Sequence, residues 1–383
     1  MTDDRPRPDW DLRVPTADQL KAYMAPTWIA FAEATSGPEV DDWAKQVEPD
    51  RWLAAFESPE SEEPVGAAAA LTRRLTVPGG EIPAAAITAV GVRPDHTRRG
   101  VLSTLMRRQL DDVRAAGEPV AILWASEGVI YQRFGYGLAT LDGGFEAVTA
   151  RTAFTREPEP EGRVRLVTEE ESRRLFPPVY DTMRTTTPGA IDRPEEWWNI
   201  GILADPEYSR RGMSEKYRVV HEVNGSAEGY AIYRVKQDWD HLGPKSVLEV
   251  RDAVAATPRA LRAIWRYLFD VDLVRTVKAS HLAVPNPLLH MLAEPRALAF
   301  GITDALWARL VDLPGALQAR RYATSDELVF EVSDRFCPWN EGRWRIRTDG
   351  ESTSMTRSGG PSIPRSEMRC FRSSATKTRS GSK

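Results

Sequence analysis

The sequence predicts a mixed α/β (α+β) chain. Two tandem α/β domains of similar design, residues 1–150 and 151–299, precede a smaller α+β domain at residues 300–383. Three observations lead there. A length of 383 residues suits two or three domains at about 150 residues each. Hydrophobic residues make up 42% of the chain and charged residues 28%, the balance of a soluble globular protein with cores to bury. An order of helix, strands, helix and strand occurs before residue 150 and restarts after a Pro/Glu-rich linker at 156–162.

The elements follow in chain order. Residues 19–33 read as a helix, and 40–57 as a pair of helices broken at Pro49. Trp28, Phe31, Trp43, Trp52 and Phe56 recur there at irregular helical spacing. They read as core, with an aromatic substrate groove as the alternative. Residues 66–77 and 81–92 form a hairpin across Pro78-Gly79-Gly80, and Pro94 ends its second strand. A helix at 100–116 carries Val101, Leu102, Leu105, Met106, Leu110 and Val113 on one face, and Gly117 suits its C-terminal end. An apolar strand follows at 120–125. After the linker come a helix at 169–183, strands at 216–223, 229–235 and 246–254, a helix at 258–269 and a strand at 273–282. The last part has short apolar runs at 306–312, 328–332 and 344–346.

Composition removes several classes. With 51 Lys+Arg against 55 Asp+Glu the net charge is −4, without the basic excess that nucleic acid demands. No apolar run approaches the roughly 18 residues of a membrane span, and the N-terminus is charged with no apolar signal region. A cytoplasmic protein is expected. Cys337 and Cys370 are too few for a disulfide framework or a four-ligand zinc site and read as unpaired thiols. The five histidines are scattered, and no metal site or nucleophile elbow is expected.

The informative stretch runs Ile87-Thr-Ala-Val-Gly-Val-Arg-Pro-Asp-His-Thr-Arg-Arg-Gly-Val-Leu-Ser103. A strand enters an Arg- and Gly-containing turn and a helix leaves it. Unpaired amides and the dipole at a helix N-terminus attract anions, Gly100 permits close approach, and Arg98 and Arg99 add charge. Read alone, this is equally an ordinary strand-turn-helix with two solvated arginines. One strand later comes Trp124-Ala-Ser-Glu-Gly-Val-Ile-Tyr-Gln-Arg-Phe-Gly-Tyr-Gly137. Together the two stretches resemble the GNAT superfamily of acyl-CoA-dependent N-acetyltransferases, and within it the enhanced intracellular survival (Eis) family. The likeness covers roughly residues 15 to 350. It includes Leu75-Thr-Val-Pro-Gly79, Gly229-Tyr-Ala-Ile-Tyr-Arg-Val235 and the segment from Asp304 to Tyr322.

The resemblance implies two GNAT-like domains followed by a sterol-carrier-protein-like domain. It implies acetyl-CoA as co-substrate, with the backbone of Val90, Gly91 and Val92 beside its pantetheine arm. Arg98, Arg99, Gly100, Val101, Leu102 and Ser103 would hold the pyrophosphate, and Ser126 and Glu127 would border the cofactor. Tyr131 would be the general acid that protonates the departing thiolate. Arg133, Phe134 and Tyr136 read as structural. Two positions depart from the general GNAT loop, Thr97 and Leu102, and Thr97 is the odder. The second α/β domain has no cofactor loop of its own and is expected to bind no CoA. Its Arg210-Arg-Gly212 opens no helix and reads as a turn.

The C-terminus departs further. The family is thought to use its own terminal carboxylate, usually on Phe, as general base. Phe336-Cys-Pro-Trp-Asn-Glu-Gly-Arg-Trp-Arg-Ile346 still looks like the third domain, but residues 351–383 carry nine Ser and no helix or strand period. Two readings stay open: a native Ser-rich tail, or a coding sequence that shifts frame near residue 355. In either, Lys383 offers no aromatic anchor for a terminal carboxylate.

The function expected is acetyl-CoA-dependent N-acetylation of primary amines, of aminoglycoside or polyamine-like compounds or of lysine side chains. The partners expected are a small amine and further copies of the chain, the family implying a hexamer, with no nucleic acid and no membrane. A catalytically impaired acyl-CoA-binding or assembly protein is the alternative, and a lipid-carrying last domain a third reading. Residues 351–383 hold seven Lys+Arg against two Glu, which leaves 44 against 53 for residues 1–350. The body is therefore more acidic than the whole, a charge that suits polycationic amines.

Overall fold

The computed structural model describes residues 10–156, 161–350 and 352–358. The first half runs β1 (Asp11–Arg13), α1 (Leu20–Ala30), α2 (Pro38–Ala44), β2 (Trp52–Phe56), β3 (Gly66–Val77), β4 (Gly80–Val92), α3 (Val101–Ala115), β5 (Val120–Trp124), α4 (Gly128–Tyr131), β6 (Gly137–Leu138) and β7 (Leu141–Val148). The middle contributes β8 (Arg163–Leu166), α5 (Glu169–Arg184), β9 (Tyr217–Val223), β10 (Ser226–Lys236), the two-residue strands β11 (Trp239–Asp240) and β12 (Gly243–Pro244), β13 (Ser246–Ala255), α6 (Pro258–Phe269), β14 (Val274–Leu282) and α7 (Leu288–Met291). The chain then forms β15 (Gly301–Asp304), β16 (Leu306–Leu310), α8 (Leu313–Gln318), β17 (Ser325–Val332), β18 (Gly342–Asp349) and β19 (Thr353–Arg357).

Two seven-stranded sheets result, ordered β1-β2-β3-β4-β5-β16-β6 and β15-β7-β14-β13-β10-β9-β8, with a three-stranded sheet β17-β18-β19 beyond them. The Ala-rich start of β3 shows why weak strand formers suffice here. Ala67 and Ala69 face the cluster of α1 and α2, while Ala68 and Ala70 face that of α3, so small side chains let helices approach both faces. In the second sheet, α5 covers one face through Phe176, Val179 and Tyr180, and α6 the other through Ile264, Trp265, Leu268 and Phe269. A full capping box, Thr168 with Glu171, starts α5.

Several expectations need correction. Residues 40–57 are not a helix pair: α2 ends at Ala44, and Trp52–Phe56 is a strand paired to β1 and β3 with all five residues buried. An apolar run enclosed on both faces has no period to separate strand from helix. The chain also crosses the boundaries at 150 and 300. β7 lies between β14 and β15 in the second sheet, and β16 inserts between β5 and β6 in the first. Each of these strands finds its backbone partners in a sheet built mainly from another part of the chain. Finally, the segment 351–383 is not wholly aperiodic, because Thr353–Arg357 pairs with β18 and buries Met355. The rest of that tail, 359–383, and the centre of the 156–162 linker lie outside the described residues.

Candidate active site

The first sheet opens into a wedge. β4 and β5 run parallel and pair only from Ala84–Ala86 to Val120–Ile122. Beyond that point β4 stays with β3 out to Val92, while β5 follows β16 to Trp124. The edge of β4 from Ile87 to Val92, including the predicted Val90, Gly91 and Val92, is thereby left without a strand partner on the β5 side.

A bulge shapes that edge. The register of β4 slips between Ala69↔Thr88 and Ala67↔Gly91, and Ala89 takes a left-handed φ of 52°. Helix α1 holds it: Thr27 Oγ1 donates to the Ala89 carbonyl at 2.7 Å. A Cβ on Gly91 would lie 2.6 Å from Thr27 Cα, so glycine is what lets α1 come this close.

The turn after β4 leads into α3. Gly100, at φ 91°, is the residue before α3, and no atom crowds its missing Cβ; it is the backbone conformation that calls for glycine. Val101, Leu102 and Ser103 form the first turn of α3, whose amides have no partner inside the helix. Arg98 is exposed with φ 62°. Arg99 is turned elsewhere, to Glu57 at 3.0 Å and over the Trp10 ring at 5.1 Å. Behind the turn lies a group that sequence reading missed. His96 is buried with Nε2 3.0 Å from Glu57 and Nδ1 2.9 Å from Asp95, and Arg93 closes on Asp95 at 2.8 Å. These contacts hold Asp95 down at about 2 and Glu57 below the usual carboxylate range, His96 being the first cause in each. One histidine among scattered ones gave no signal of this in the sequence.

Tyr131 ends α4 and is 6% exposed. It packs edge-on to Tyr136 at 5.9 Å and belongs to the cluster of Ile87, Met106 and Leu110 on the α3 face, with Val90 and Leu102 at its rim. Burial raises its phenol above the ordinary value, which keeps the proton on at neutral pH. Ser126 and Glu127 lie exposed in the turn between β5 and α4.

On the opposite face of the sheet is a cavity of about 250 Å³ lined by Thr27, Trp28, Phe31, Glu33, Trp43, Trp52, Thr88 and Ala89. Trp28–Trp43 and Trp43–Trp52 meet edge to face at 5.9 and 5.7 Å. Trp28 Nε1 is buried without a hydrogen-bond partner in the structure. Trp52 and Phe56 are core, while Trp28, Phe31, Trp43 and one wall of Trp52 line this cavity. Among the described residues no group of three or more His, Cys, Asp or Glu is arranged to hold a metal, and no helix is long and apolar enough to cross a membrane.

Residues 11–139 match an acetyltransferase (GNAT) domain family, residues 189–310 a second family of that description, and residues 313–369 a sterol carrier protein domain. An uncharacterized N-acetyltransferase of Streptomyces avermitilis is 39% identical over 91% of this chain and 85% of its own length. The N-acetyltransferase Eis of Mycobacterium tuberculosis is 37% identical over 71% of this chain and 67% of its own length. The crystal structure of Eis1 from Mycobacterium abscessus superposes with a TM-score of 0.75 at 33% identity, covering 91% of this chain and 85% of that one. A GCN5-related N-acetyltransferase from Anabaena variabilis, at 20% identity and TM-score 0.78 over 92% and 86% of the two chains, shares the fold.

Proposed function

The chain belongs to the Eis-like family of GNAT N-acetyltransferases, and from that premise we propose that it acetylates primary amines of small polycations of the aminoglycoside or polyamine kind. Acetyl-CoA, the co-substrate of GNAT domains, supplies an activated acetyl thioester. The residues present fit it: the unpaired edge of Val90, Gly91 and Val92 would receive the pantetheine arm, and Arg98 with the amides of Gly100 to Ser103 the pyrophosphate. Ser126 and Glu127 would border it from the β5 side.

The observation that carries the substrate class is the aromatic cavity with Glu33 at its rim, which reaches the bulged edge of β4 through Thr88 and Ala89. Aromatic faces and a carboxylate attract ammonium groups, and a neutral hydrophobic acceptor would leave Glu33 unused. The acidic body adds long-range attraction. Tyr131, protonated and on the far face of the sheet, donates its proton to the leaving thiolate. The expected working form is a cytoplasmic homo-oligomer, a hexamer in the family's pattern, which light scattering would measure.

The test is thiol release from acetyl-CoA with a panel of di-, tri- and tetra-amines, with mass spectrometry of the products. Turnover that rises with the number of amines supports the reading. Acetyl-CoA binding without turnover on any amine would favour the acyl-CoA-binding alternative.

A further inference from the structure

The wedge is flanked on its aromatic face by a histidine from the second sheet. Along β5, Ala121 and Leu123 join the α3 cluster, whereas Val120 and Ile122 face the other way, with Leu75 and Ile82. Strand alternation puts Trp124, two residues on, on the Ile122 side, which is the face of the aromatic cavity. Trp124 is 62% exposed and stacks flat against His281 of β14, ring centroids 5.1 Å apart and planes 10° from parallel. His281 Nδ1 lies 2.9 Å from Asp142 Oδ2 on β7.

The local backbone is unusual. His281 sits at a left-handed φ of 58°, at an irregularity where the β14–β7 register slips between Ala279 and Leu282. Bulges of this kind re-aim a side chain, and a non-glycine residue held at positive φ is one that the surrounding structure over-determines. Here the bulge brings His281 to the end of β5, immediately before Ser126 and Glu127. Asp142 is mostly buried, with a side chain 17% exposed, so it is a fixed partner, while the imidazole is open to solvent. With Nδ1 on the carboxylate, Nε2 is the free ring nitrogen.

We propose that His281, oriented by Asp142 and seated on Trp124, is the general base of the reaction. This rests on the acetyl-transfer reading above. The amine nitrogen attacks the thioester carbonyl; the N–C bond forms and the C–S bond breaks. The proton lost by nitrogen goes to His281 Nε2, directly or through one water, and the thiolate takes the Tyr131 proton. Both residues then return to their starting states by exchange with solvent. Of the elements around His281, β7 brings Asp142 and β5 brings the uncharged indole. Lys278, on β14 itself, is turned to Glu146 of β7 at 2.8 Å. Glu127 lies exposed in the turn beyond Trp124.

The experiment compares His281→Gln, His281→Ala and Asp142→Asn with the wild type in the full chain. It measures kcat against pH at saturating amine, acetyl-CoA affinity by calorimetry, and thermal melting. Glutamine can keep a hydrogen bond to Asp142 but cannot take a proton. The expected result is a kcat lower by about 100-fold in both His281 variants, with the acid limb of the profile lost. Acetyl-CoA affinity stays unchanged, and Asp142→Asn is intermediate. If His281→Gln keeps wild-type kcat and acid limb while His281→Ala melts early, the pair is an inter-sheet latch and the proposal is overturned. Absence of amine acetylation in the wild type itself would instead overturn the reading on which it rests.

Discussion

Thr27 Oγ1 donates to the carbonyl of Ala89 at 2.7 Å, and this one bond ties helix α1 to the bulge in β4. Thr27 is 8% exposed, and it lines the aromatic cavity beside Thr88 and Ala89. The bond therefore couples the shape of the proposed amine pocket to the strand edge proposed to hold acetyl-CoA. Thr27→Val keeps the volume and leaves the carbonyl unpaired, at a cost of about 1–2 kcal/mol in stability. The expected kinetic result is a raised KM for both substrates, checked by initial rates with each varied in turn.

Tyr131 is held protonated by burial. An acid works while its proton is on, and a folded value above the ordinary 10 moves the loss of that proton to higher pH. Activity should therefore persist through neutral and mildly alkaline pH and fall only as pH rises past the ordinary tyrosine range. Tyr131→Phe is expected to lower kcat by about 100-fold and to remove that alkaline fall, with acetyl-CoA affinity unchanged by calorimetry.

The sequence was most legible where two periodicities adjoin a turn. The β4–turn–α3 unit, the apolar face of α3 and the Tyr131 stretch were all readable, because strand, glycine turn and amphipathic helix each leave a local mark. What was lost depends on distant partners. Trp52–Phe56 looks helical until β1 and β3 enclose it. The exchange of β7 and β16 between sheets cannot be seen in either strand alone. His96 and His281 gain meaning only from Glu57 and Asp142, at sequence separations of 39 and 139.

The third domain touches the same cluster as Tyr131. Phe336 meets Phe134 edge-on at 5.1 Å, its carbonyl accepts from Arg107, and Cys337 is fully buried among Phe134, Tyr136 and Met106. Asp334 pairs with buried Arg309 at 2.6 Å, and the Arg309 guanidinium covers Gly135. Phe336→Ala is thus expected to cost about 1–3 kcal/mol in stability. Slight misplacement of α4 should lower kcat by about tenfold with little change in KM. Melting curves and saturation kinetics check the two effects separately, and Phe336→Leu should recover most of both.

The turn proposed to hold the pyrophosphate should carry its own acid sensitivity. Asp95 is held at about 2 against an ordinary 3.8, first by His96 and then by Arg93. A carboxylate whose folded value is depressed adds stability above its unfolded value, and that stability is lost as pH falls through the folded one. Here the window runs from about 4 down to about 2. Asp95→Asn removes the charge at every pH. Its melting temperature should lie below the wild type's at pH 7, and the difference should close across that window. The same variant should weaken acetyl-CoA binding at pH 7, because Arg93 and His96 lose the carboxylate that fixes the turn before Arg98 and Gly100. Calorimetry at pH 7 and melting curves taken down through the window measure the two consequences independently. A melting difference that stayed constant with pH would remove Asp95 from the support of the turn.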